Sequence, residues 1–229
     1  MKKSFLFLSI FVFQVLIVSS AFAAAIPIDN YSFENPQLNV GTGWRGDGAG
    51  EWTQGVSIPG WTSTDTGMSG VITGYGTAAD GNNAAWVQGI NSISQVLTAT
   101  LQPDTDYTLS VSVGHRSSWP LAPEIQLLAG GNILAEDVLT GAELPADGTF
   151  SIFTLTYQSG PSVFPGQNLE INLMNLNGGQ PHFDDVTLND GTGNSTNNVV
   201  PEPSTILLLS LGSGLMALRR DRRKKKAKL

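Results

Sequence analysis

The 229-residue chain contains no cysteine, which removes disulfide staples, thiolate nucleophiles and zinc–thiolate sites at once. Whatever folds here is held by packing, with a bound metal as the remaining aid. Basic side chains are almost absent from the middle of the sequence. Residues 25–198 hold 17 acidic groups against Arg45 and Arg116 alone, so that stretch carries 2 − 17 = −15 although the whole chain is only −7. Nothing there can neutralise phosphates, which excludes nucleic acid and anionic lipid as partners of this region. The same acidity suits cation binding, although a solvated and soluble surface explains most of it. Catalytic groups are sparse as well. The two histidines, His115 and His182, lack metal-ligand spacing, Ser117-Ser118 has no nucleophile elbow, and His115 beside Arg116 reads as a polar strand end. A pair of carboxylates for glycoside hydrolysis stays open, because any acidic domain offers candidates and their separation is a three-dimensional fact.

Both ends are built differently from the middle. Lys2-Lys3, an apolar core from Phe5 to Val18 and the small exit Ala21-Phe22-Ala23 make residues 1–23 a signal peptide, with cleavage expected after Ala23 by signal peptidase. At the other end, Pro201-Glu202-Pro203-Ser204 is followed by the uncharged residues 206–218 and then by Arg219-Arg220 and a longer basic tail. A hydrophobic span flanked by cations keeps them in the cytoplasm, which puts the folded part outside. The thirteen apolar residues rise about 20 Å against a hydrocarbon core of about 30 Å, so they suit a temporary anchor.

This ending resembles the PEP-CTERM sorting signal of Gram-negative bacteria, carried here by Pro201, Glu202, Pro203, the apolar segment of about residues 205–218, and Arg219 and Arg220 within a tail over 219–229. The resemblance implies an inner-membrane-anchored precursor, cut near the motif by an exosortase and delivered to the cell surface or extracellular matrix. The basic tail runs beyond the usual arginine pair.

Between the signals, residues 24–188 read as one domain and the polar residues 189–199 as a linker. No helical period of useful length occurs. Alternation with period two does: Tyr107, Leu109, Val111 and Val113; Ile125, Leu127 and Ala129; Phe153, Leu155 and Tyr157; Leu169, Ile171 and Leu173; Val186 and Leu188. Weaker strands are expected at 32–34, 71–72, 84–87 and 93–97. The fold class is therefore all-β, a sandwich of two packed sheets. The loop-rich stretch 38–83 sits where binding usually lies.

Three markers, Asn30-Tyr31-Ser32-Phe33-Glu34, Ile58-Pro59-Gly60-Trp61 and Phe183-Asp184-Asp185-Val186, resemble the galactose-binding-like jelly rolls and their carbohydrate-binding modules. Tyr31 stands where that family commonly has Gly. The resemblance implies a jelly roll, a structural role for Trp61 and a structural calcium on Glu34 and Asp184. The strand pattern adds its own argument, because Asp184 has the parity of Val186 and Leu188 and is expected to face the core, where a carboxylate needs compensation. A calcium ion or backbone N–H donors at a strand end both supply it.

Sugar rings stack on aromatic faces, which makes Trp44, Trp52, Tyr75, Trp86 and Trp119 the ligand-binding candidates, each with packing as the competing use. Trp44 and Trp52 flank Arg45, Asp47 and Glu51, a mixture suited to an orienting polar site. The expectation is a non-catalytic surface or matrix protein that binds glycan, such as exopolysaccharide. A purely structural matrix protein is the first alternative and a glycoside hydrolase the second.

Overall fold

The structure, a computed structural model, describes residues 23–38, 52–73, 78–116, 119–163 and 166–192. All of them fall within one unit, Ala21–Asn194. The described residues form eleven strands and two single-turn 3-10 helices, Thr66–Met68 and Gly141–Glu143. The strands are β1 (Ala24–Ile26), β2 (Thr62–Ser63), β3 (Ser69–Thr73), β4 (Asn83–Val87), β5 (Asn91–Thr100), β6 (Thr105–His115), β7 (Pro123–Ala129), β8 (Asn132–Val138), β9 (Phe150–Gln158), β10 (Asn168–Asn175) and β11 (Pro181–Thr192). They form two sheets. The six-stranded sheet has the order β3-β4-β11-β6-β9 with β1 beside β11, and the five-stranded sheet the order β2-β5-β10-β7-β8. Every pair is antiparallel. The expected jelly-roll β-sandwich is therefore the observed fold.

The core lies between the inner faces and is made by the residues whose alternation marked the strands. Tyr107, Leu109, Val111 and Val113 of β6 meet Leu169, Ile171 and Leu173 of β10 and Ile125 and Leu127 of β7 in one buried cluster. Removing one such side chain to Ala costs about 2–5 kcal/mol, because the neighbours cannot close the hole.

β11 organises the larger sheet. It pairs with β6 along most of its length, with β4 through His182 and Phe183, and with β1 through Leu188, Asn189 and Asp190. Its ladder to β6 breaks once: Asp184 is opposite Ser112 but Thr187 is opposite Ser110, so Asp185 and Val186 share the place facing Val111. Asp185 takes φ 45° to make this bulge. A bulge reverses the alternation. Phe183 and Val186 both reach the core, and Asp184 turns to the outer face. The parity argument for Asp184 is thereby corrected, although the carboxylate is fully buried all the same.

The strand expected at 32–34 is a turn. Asn30 and Phe33 both have positive φ, Phe33 N–H donates to Asn30 O, and the Asn30 side chain binds both N–H and C=O of Asn35. Phe33 is driven inward against Trp61, ring centroids 5.2 Å apart. β1, β2 and β8 have no counterpart in the sequence expectation.

Candidate functional site

The outer face of the six-stranded sheet is expected to be wet, and over β4, β11 and β6 it is not. Registers set Gly70, Trp86, His182, Gly114 and Phe150 in one row across β3, β4, β11, β6 and β9, and Asp184, Ser112 and Ile152 in the next. Trp86, His182, Asp184 and Ser112 are all buried. Part of the cover is residues 52–53, which add to the β3 edge: Trp52 bridges Ile72, and Thr53 exchanges bonds with Val71. Gly70 permits this approach, since a Cβ there would lie 2.0 Å from Thr53 O.

Among the described residues, the segment 78–83 adds to the cover, held at both ends by the two carboxylates singled out in the sequence. Asp184 Oδ2 accepts from the backbone N–H groups of Ala79 (2.7 Å) and Asp80 (2.9 Å), and its Oδ1 from that of Asp185 (2.7 Å). Glu34 Oε1 accepts from Asn82 N–H (2.8 Å) and Asn83 N–H (2.7 Å). Between them Gly81 has φ 67°, and a Cβ on it would meet the Glu34 carboxylate at 2.5 Å. The Asn83 amide ties the same segment to Phe33 O and Pro36 O. Glu34 and Asp184 thus act on one segment from its two ends.

Electrostatics differ sharply along β11. Burial, against the opposing help of the three N–H donors, pushes Asp184 up to about 7. Two residues earlier, burial and the nearby Arg116 guanidinium push His182 down to about 3, so its imidazole is neutral. Arg116 is itself buried, bonds the Gln180 side chain and lies over the Trp119 ring at 4.7 Å. His115 ends β6 with Nδ1 on Pro145 O and Nε2 near Trp119 O and Asp147, the polar strand end its neighbourhood implied.

The aromatic candidates separate. Trp86 is 1% exposed, with its indole N–H donated to Thr53 O. It has no face for a sugar, and its role as a ligand contact is corrected to packing. The reason is local: every residue of β4 is buried, because both faces of that strand are covered. Trp52 is half-buried and tilts on Trp86 with centroids 6.1 Å apart. Trp119 is half-buried beneath Arg116. Trp44, Tyr75 and the sorting residues Pro201, Glu202, Pro203, Arg219 and Arg220 lie outside the described residues.

Sequence reasoning missed His182, Ser112 and Phe150 as members of this face. One signal was present, for His182 and Asp184 are two apart and so share a side of the strand.

For calcium, the described residues contain no group of three acidic or histidine side chains gathered around a point. Asp184, an enclosed carboxylate raised by desolvation, would gain from a neighbouring positive charge.

Comparison with known proteins agrees with this architecture. The HpiC1-like family, described as HpiC1 cyclase, matches residues 24–189, and a PEP-CTERM protein-sorting motif matches residues 199–224. The motif makes the chain an exported, membrane-anchored precursor processed by exosortase. No curated protein matches in sequence. Among solved structures, a cyclase from Fischerella sp. TAU is 30% identical at TM-score 0.63, covering 76% of this chain and 100% of that one. The Stig cyclase Fisc from Fischerella sp. TAU, in complex with (3Z)-3-(1-methyl-2-pyrrolidinylidene)-3H-indole, is 29% identical at TM-score 0.62, with 74% and 98% covered.

Proposed function

The chain belongs to the HpiC1-like family, and we propose that this member is a binding module displayed outside the cell rather than an enzyme. Exosortase releases it from its anchor to the cell surface or extracellular matrix, where the sandwich holds a glycan such as exopolysaccharide. The observation that supports this reading is Trp52, a half-buried indole backed by the buried indole of Trp86. A ring fixed from behind loses little freedom when the C–H face of a sugar stacks on it. The charge of −15 over residues 25–198 favours a neutral glycan over an acidic one. Trp119, fixed by Arg116, is a second stacking point.

Calcium belongs to the proposal as a structural ion on Glu34 and Asp184, where it would supply the positive charge that a buried carboxylate lacks. Loading with calcium is expected to raise the melting temperature of the parent by several degrees and to leave Glu34→Gln unmoved. An identical melting curve with calcium and with chelator removes the ion from the proposal.

The test of the main reading is retention on immobilised neutral polysaccharides, with Trp52→Ala expected to weaken it at least tenfold. Equal retention of parent and variant, or none on any polysaccharide, leaves the sandwich a structural matrix element.

A second reading is the binding of a small flat aromatic ligand. The half-buried Trp52 indole, backed by that of Trp86, favours it, as does the indole compound carried by the Fischerella Stig cyclase Fisc. Saturable binding of an indole compound, quenching tryptophan fluorescence in the parent and lost in Trp52→Ala, selects this reading over the glycan.

A further inference from the structure

Tyr31 stands where the resembled jelly rolls commonly have Gly, and the sites described above do not use it. The turn that carries it is tied to three neighbours. The Gln95 side chain accepts from Asp29 N–H and donates to Asp29 O, the Asn30 amide donates to Pro59 O, and Tyr31 O accepts from Val186 N–H at 3.0 Å. The Tyr31 side chain itself is 44% exposed. A fixed backbone that holds a large aromatic ring in water is a contact surface organised in advance, since little freedom is left to lose on binding. Beside the ring, β1 and β11 leave a groove of about 350 Å³, lined by Ala25, Pro27, Ile28, Tyr31, Thr187 and Asn189 among others. That size lies at the small end of the range for ligand pockets, about 300–1,000 Å³. Its walls are largely apolar. Charge collects at the Tyr31 end. The Tyr31 hydroxyl donates to the Asp80 carboxylate, and the charges of Asp80 and Asp185 hold the phenol above its ordinary range. Arg116 is the only lysine or arginine among the described residues, and it bonds Gln180, ahead of β11. Among the described residues no salt bridge reaches Asp80 or Asp185.

We propose that this groove binds a small quaternary ammonium ion, whose methyl groups pack on Tyr31, Pro27 and Ile28 while its charge is met by Asp80 and Asp185. Charge complementarity selects a cation, because two carboxylates stand at the groove and the domain around them is strongly acidic. The ring selects an organic one. A cation over the face of a tyrosine is attracted by the ring quadrupole, most of all where water is excluded. The apolar walls then favour a methylated ammonium over a primary one. A primary ammonium carries three N–H donors and a tightly held hydration shell, which apolar side chains strip without replacing. A quaternary ammonium has no donor to leave unmade. Trp52 is not part of the lining, so the site stands whichever ligand that indole takes.

Choline and the neutral alcohol in which carbon replaces its ammonium nitrogen have the same shape and differ in charge, so the pair reads the site directly. Binding of each to the full chain in an uncharged detergent is measured by calorimetric titration. The parent is expected to bind choline saturably and the neutral alcohol at least tenfold more weakly. Tyr31→Ala is expected to weaken choline at least tenfold, and Tyr31→Phe, which keeps the ring, less than threefold. Asp80→Asn combined with Asp185→Asn is expected to weaken it at least fivefold, and asparagine tolerates the positive φ of position 185 as aspartate does. Thr187→Trp fills the groove from β11 without altering the turn and is expected to abolish binding, with the melting temperature within a few degrees of the parent. Absence of saturable choline binding overturns the proposal. So does equal binding of choline and the neutral alcohol, and so does choline binding that persists in both Tyr31→Ala and Thr187→Trp.

Discussion

The outer faces of the two sheets use polar side chains in opposite ways. On the six-stranded sheet, Asp184 and His182 are enclosed, and Asp184 spends its oxygens on the backbone of a segment laid over it. On the five-stranded sheet, Glu124, Gln126, Glu136 and Asn172 bond mainly to one another: Asn172 Nδ2 donates to Gln126 Oε1, whose own amide donates to Glu124 and Glu136. Both networks contain buried carboxylates. In the first a side chain replaces the solvent of a main chain, and its loss strands the donors. In the second, amide and carboxylate partners lie along an exposed strand, β8, and water can stand in for any one of them.

The comparison breaks most visibly at Asp184. Asp184→Ala removes the acceptor of three part-buried backbone N–H groups at the covered face, at a cost of about 3 kcal/mol, since each donor shielded from water and left unmade forfeits solvation. Urea unfolding at pH 6 should show the midpoint falling accordingly, with an unchanged slope. A loss below about 1 kcal/mol would mean that water already reaches these donors and that the face is open.

A smaller effect sharpens the contrast within the enclosed face itself. Asp184 sits at about 7 when folded against its ordinary 3.8, so the stability it contributes is complete below pH 4 and is lost as pH rises towards 7. His182 sits at about 3 against 6.5, so its contribution is complete above pH 6.5 and is lost as pH falls towards 3. Between pH 4 and 6.5 the two slopes oppose each other, each about 1 kcal/mol per pH unit, and the calcium-free parent is expected to be nearly flat there. Asp184→Asn should uncover a stability that rises with pH, and His182→Phe one that falls. Two variants with the same slope as the parent would show that neither group is enclosed as described.

How much of this was legible depends on what each residue's position rests on. β6, β7 and β10 could be read because one face of each strand is buried by the opposite sheet, which writes a strict alternation into the sequence. Trp86 was misjudged although Ala84, Ala85 and Val87 beside it already spelled a strand covered on both faces. Burial of Asp184 was foreseen and its direction was not, since one residue at φ 45° reverses the side and an Asp-Asp pair does not announce a bulge. The convergence of Glu34 and Asp184 on residues 79–83 joins partners as far apart as 105 positions. No local pattern encodes it, and only the family resemblance brought the two together. β8 was missed because it is an edge strand, mostly exposed, with no alternation to read.

The smallest expected effect lies on the five-stranded sheet and has the opposite sign. Burial and the neighbouring Glu136 raise Glu124, while its bond from Gln126 opposes them. A raised carboxylate contributes stability below its ordinary range and loses it as pH increases. Glu124→Gln keeps an oxygen for the Gln126 amide and removes the charge that faces Glu136. The variant is therefore expected to match the parent near pH 4 and to exceed it by about 0.5 kcal/mol at pH 8. A loss of 2 kcal/mol or more at pH 8 would place Glu124 with Asp184, as a carboxyl group whose oxygens backbone or side-chain donors depend on, and the two faces would then be alike. A small gain instead leaves the buried clamp on β11 as the place where charge and fold are tied together.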